Sequence, residues 1–143
     1  MRRSRPLALV VALLGLLVGA LAASGQFLPA LLDVDVRTVG LYMAAANALS
    51  FLLSPVGTFL LGYWAGAGAD VPADYGTVAL LFGAVGGVAV FAGFLVVAGL
   101  GLPAGTTGGL SLVLMSGYAA AFRVAGFAID GVAGAAVAHF RGR

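Results

Sequence analysis

Residues 77–102 read TVALLFGAVGGVAVFAGFLVVAGLGL, a run without a single ionisable side chain. As an α-helix it would rise about 39 Å at 1.5 Å per residue, more than the roughly 30 Å of hydrocarbon in a bilayer. Only helices and closed barrels satisfy every backbone polar group in lipid. A barrel strand alternates apolar and polar residues, which this run does not do. The stretch therefore predicts a helix that crosses a membrane.

Three further runs flank it. Residues 7–23 and 38–65 are uncharged, and residues 107–140 are interrupted only by Arg123 and Asp130. The pattern predicts an all-α chain: one polytopic transmembrane domain, a four-transmembrane-helix bundle with spans at approximately 7–23, 38–65, 77–102 and 107–140. Residues 24–37 hold Gly25, Pro29, Asp33 and Asp35, and residues 66–76 hold Asp70, Pro72 and Asp74; both read as loops, as does the short stretch 103–106. Thr38, Asp74 and Thr106 or Thr107 stand where helix caps are expected.

Composition agrees. Of 143 residues, 62% are hydrophobic and 8% charged, against about 45–50% and about 25% in soluble domains. A soluble fold of this size has too little interior to hide such an excess. All basic residues are Arg and all acidic ones Asp. The absence of Cys excludes disulfides and thiolate chemistry. The net charge of +2 comes from the chain ends and speaks of orientation, not of nucleic-acid binding.

Arg2, Arg3 and Arg5 precede the first run, and Arg141 and Arg143 follow the fourth. The positive-inside bias puts both termini in the cytoplasm of a cell-membrane protein, with an even number of crossings. Tyr42 and Trp64 lie 22 residues apart in the second run, about 33 Å, the spacing of two aromatic belts. One competing reading concerns the start: Arg2–Arg5, an apolar stretch and Ala20–Leu21–Ala22 also resemble a secretory signal peptide, cleaved after about residue 22. A faint echo relates Tyr42–Asn47 to Tyr118–Arg123, an offset of 76 residues that a two-plus-two duplication would produce.

Small residues at four-residue spacing mark faces for close helix approach: Gly15, Gly19 and Ala23; Ala79, Gly83 and Gly87; Gly126, Asp130, Gly134 and Ala138. The second run carries a polar stripe, Asn47, Ser50, Ser54 and Thr58, on one helix face. Pro55 within it frees the Phe51 carbonyl and should kink the helix. The stripe is either a packing face whose hydroxyls serve the disturbed backbone, or the wall of a substrate path with Pro55 as hinge.

Arg123 and Asp130 are the sharpest candidates. Seven residues apart, they share a helix face at a rise of about 10.5 Å. A charge at the centre of a span costs about 2.5–3.5 kcal/mol on insertion scales, and such residues often mark function. Three readings stand side by side. The span ends near Phe122 and residues 124–143 lie along the membrane surface; or the two charges pair inside the bundle, with Asn47 as a possible third member; or they serve transport or proton relay. His139 reads as an interfacial residue beside the terminal arginines. The aspartates outside the fourth run read as caps and solvated loop residues.

Nothing in the sequence assembles a catalytic, cofactor or metal site, so an enzyme is not expected. The expected role is a structural or accessory membrane subunit whose partners are the lipid bilayer and either further copies or other membrane subunits. The alternative is a small oligomeric transporter or channel with a polar path near Asn47, Arg123 and Asp130.

Overall fold

The computed structural model describes residues 4–31, 35–67, 71–101 and 109–141. These form four long helices: α1 (Ser4–Leu31), α2 (Val36–Gly66), α3 (71–101) and α4 (Gly109–Arg141). All four are long and apolar enough to cross a membrane. At 1.5 Å per residue the 33 residues of α4 measure about 50 Å, so a crossing would leave its ends outside the hydrocarbon or tilt it.

Several helix ends extend beyond what composition suggests. Ser24–Leu31, with Gly25 and Pro29, continues α1. Gly25 is buried, and a Cβ there would stand 3.3 Å from Ala46 of α2, so packing carries the helix through a weak sequence. Asp35, not Thr38, occupies the cap position of α2, with no side-chain cap bond, and Thr38 sits inside the first turn. In α3 the helix starts at Val71, which puts Pro72 in the first turn, where its missing N–H is harmless. Asp74 then lies within the first turn instead of capping it. Thr106 and Thr107 lie outside the described residues.

Contacts close a ring in the order α1, α3, α4, α2. Two sides of the ring are parallel pairs sewn by glycine. On α1 and α3, Gly15 faces Gly86 and Ala89, Gly19 faces Val90, and Gly93 faces the Leu16 carbonyl. On α2 and α4, Gly62 faces Gly131, Gly66 faces Ala135, and Gly134 faces Phe59 and Tyr63. The remaining sides are antiparallel: Gly57 meets Leu14 of α1, while Gly83, Gly86 and Gly87 of α3 meet Ala128, Phe127 and Val124 of α4. Without a hydrophobic drive between helices in lipid, this backbone-to-backbone approach is what supplies dispersion contacts. The register of α2 on α4 is a shift of 69 residues, from Gly62 to Gly131 and from Gly66 to Ala135.

The core changes character along the bundle. At the end holding Ser4 and Arg141, all four helices contribute: Leu7, Val11, Leu61, Ala65, Val78, Phe82 and Ala135. In the middle Val18, Leu53, Val90, Ala120 and Phe127 again join all four. At the end holding Leu31 and Gly101, the core among the described residues is Ala22, Ala23, Phe27, Phe94, Val97 and Ala98, all from α1 and α3. There α2 leans on α1 and buries only Ala46 and Ser50 among Val36–Leu52. Among the described residues the ring is thus closed between α2 and α4 at one end and open between them at the other.

Two π-turns mark where the helices adjust. Leu53–Gly57 in α2 contains Pro55, whose absent N–H removes the ordinary hydrogen bond and lets the turn widen. Leu81–Val85 in α3 carries Phe82, fully buried against Gly131 of α4.

Candidate functional site

Two polar residues of the long helices, Ser50 and Arg123, meet just before the α2 π-turn. Ser50 is fully buried, and its hydroxyl donates to the Val18 carbonyl of α1 at 3.5 Å. The Ser50 carbonyl in turn accepts from Nη1 of Arg123 on α4 at 3.5 Å. Both bonds are long, at the outer edge of hydrogen-bond range. One residue thereby links three helices. The carbonyl that Arg123 reaches is that of Ser50, one residue before the Phe51 carbonyl that Pro55 was expected to free.

The other hydroxyls turn onto backbone. Thr58, fully buried, donates to the Ser54 carbonyl and lies 3.2 Å from that of Pro55. Ser116 donates to the Val113 carbonyl at 3.0 Å and Ser24 to the Leu21 carbonyl at 2.9 Å. Ser54 itself is half-buried, with its carbonyl taken by Thr58. This is the arrangement by which membrane helices satisfy backbone groups loosened by proline. Replacing Ser50 by alanine should accordingly cost less than about 1 kcal/mol, in line with the average of about 0.6 kcal/mol for hydrogen bonds between membrane helices. A thermal melt in detergent checks this; a loss the size of a core deletion would show the serine to be a keystone.

Arg123 and Asp130 do not converge. With the 69-residue register, Arg123 is level with Ser54 and Asp130 with Leu61. The Arg123 side chain reaches Ser50, one turn toward the Leu31 end, whereas Asp130 lies two turns the other way. Both residues are half-buried. Among the described residues the guanidinium has this single hydrogen bond, out of five N–H donors. Asn47 stands apart as well, exposed on α2, its Oδ1 3.8 Å from where a Cβ on Gly25 would lie. The five candidates Asn47, Ser50, Ser54, Arg123 and Asp130 thus resolve into one joined pair, Ser50 with Arg123, and three separate groups.

The fourth helix is continuous through both charges. It packs to its end, with Gly134, Ala135 and Ala138 buried. No break falls at Phe122, where one reading ends the span. The small-residue stripe of α4 is also rotated from the expected one. Gly134 belongs to the contact, but Gly126 has open space around it, and the partner glycine is Gly131. Gly83 and Gly87 pack inside the chain, on Ala128 and Val124, and are not an outward face. Gly62 and Gly66, a G-x-x-x-G pair in plain view, carry the α2 side of the seam. His139 has its Nε2 buried without a partner among the described residues, its ring edge-on to Phe140 at 5.8 Å. No group of three metal-ligating side chains comes together among the described residues. No family model, curated protein or solved structure matches this chain.

Proposed function

We propose that this chain is a multi-pass protein of the cell membrane, both termini cytoplasmic, that serves as a structural or accessory subunit of a larger membrane assembly. The observation that carries the reading is the half-open ring. Helices α2 and α4 are locked at one end and, among the described residues, leave their other halves unpaired with each other, above an arginine. Supporting it, the fully buried rings of Phe82, Phe94 and Phe127 fill the interior among the described residues. Helix α1 provides one wall of every core layer, which supports its retention as a span.

A second reading rests on the shared face of Arg123 and Asp130, and makes the protein a small oligomeric transporter or channel. It expects Arg123→Ala or Asp130→Asn to abolish flux while the protein still inserts and accumulates. The subunit reading expects the native chain, extracted in mild detergent, to run with stoichiometric companions; a lone monomer counts against it.

Topology has its own test, made simple by the absence of cysteine. Thr38→Cys should react with an impermeant maleimide added outside intact cells, and Ala67→Cys should react only after lysis. The reverse pattern would invert the proposed orientation.

A further inference from the structure

We infer that the gap between the Leu31-end halves of α2 and α4 seats a transmembrane helix of another protein, one that carries a carboxylate at mid-membrane depth to meet Arg123. The inference rests on the subunit reading and gives its partner a chemical character.

The depth of the charge comes first. Arg123 lies near the middle of α4 and bonds the middle of α2 at the level where α1, α2 and α4 meet. A guanidinium there is expensive unless something compensates it. Among the described residues no acid lies at that depth. Asp35 and Asp74 lie at helix ends, Asp33 and Asp70 fall between the apolar runs of the sequence, and Asp130 is about 10.5 Å nearer the Arg141 end. A second copy in the same orientation carries its acids at these same depths, so it cannot supply the countercharge either.

The walls of the gap then choose among foreign anions. Exposed along the α2 half are Leu41 and Leu49. Such walls do not conduct a hydrated anion to the arginine. A lipid in the adjacent leaflet would put its acyl tail beside Arg123 and its phosphate at the surface, half a membrane away. A helix with an aspartate or glutamate at its centre satisfies walls and floor together, with apolar packing along its length and an ion pair at its middle.

The test uses the whole chain in phosphatidylcholine vesicles at pH 7, labelled through Gly40→Cys. Gly40 is exposed and a Cβ there would touch nothing. The probes are three acceptor-labelled Leu/Ala transmembrane peptides that carry Asp, Asn or Ala at the central position. Energy transfer should show the Asp peptide associating at least tenfold more tightly than the Ala peptide, with Asn between them. Arg123→Gln should erase that advantage and Arg123→Lys should keep most of it. In Arg123→Asp, a peptide with central Arg should now be preferred, which also shows that the variant is folded. An Asp advantage that survives Arg123→Gln, or no advantage at all, overturns the inference. So does displacement of the Asp peptide by phosphatidylglycerol, which would make this a headgroup site, or by unlabelled protein, which would make it a contact between copies. A chain that keeps its companions in detergent yet ignores the Asp peptide loses this site while the subunit reading stands.

Discussion

Gly62→Val is expected to part α2 from α4 and to destabilise the bundle by at least about 3 kcal/mol, the upper range for overpacking. A Cβ at Gly62 would fall on the carbonyl of Gly131, 2.8 Å from its carbon and 2.9 Å from its Cα. These are backbone atoms, and Gly131 has no side chain that could rotate away. The helices can relieve the overlap only by moving apart, which also loosens Gly66 on Ala135 and Gly134 on Phe59. In lipid, separated helices gain contacts with acyl chains but lose the close fit that favoured association. Gly131→Val should be milder, since its added atoms meet the ring of Phe82, which can shift. Gly99→Val is the matched control: Gly99 is exposed and its Cβ would touch nothing. Trp64, the one tryptophan, sits between Gly62 and Gly66 and reports the seam by its fluorescence. A melting midpoint for Gly62→Val equal to that of Gly99→Val would show that the seam does not hold the bundle together.

The apolar runs made the helices legible, because the cost of an ionised group in hydrocarbon acts on each residue without reference to any other. Helix ends were less so. Gly25 and Pro29 break helices in water, but Gly25 is pressed against α2 and Pro29 comes only after that contact. The pairing of faces was the least visible. Twenty-three glycines give many four-residue spacings, and which of them meet depends on register between helices, a property of pairs. Gly126 and Gly134 share a stripe in the sequence, yet Gly134 lies in the seam and Gly126 does not. The π-turn at Pro55 had a visible cause, but the one at Leu81–Val85 contains no proline and nothing in the residues announces it. For the polar residues the types were informative and the geometry was not. Seven-residue spacing puts Arg123 and Asp130 on one face, but the long arginine side chain chose the α2 backbone instead.

That choice sets the sign of the second large effect. Arg123→Leu should make α4 insert more readily and should leave the isolated bundle at least as resistant to heat as the native one. On insertion scales leucine at a helix centre contributes about −0.3 to −0.6 kcal/mol and arginine about +2.5 to +3.5, a difference of roughly 3–4 kcal/mol in favour of the variant. Against it stands the loss of one hydrogen bond to the Ser50 carbonyl, 3.5 Å long, worth about 0.6 kcal/mol on average between membrane helices. The gain wins by a wide margin. Were Arg123 instead held in a buried pair with Asp130, its removal would strand a carboxylate and destabilise the protein by about 3–5 kcal/mol. The two arrangements therefore predict opposite signs from one substitution. A glycosylation-insertion assay on the α4 segment reads the first effect, and a melt of the purified chain reads the second. A fall in melting midpoint comparable to that of Gly62→Val would mean that the arginine is part of what holds the helices. A rise would mean that the chain alone bears the cost of this charge.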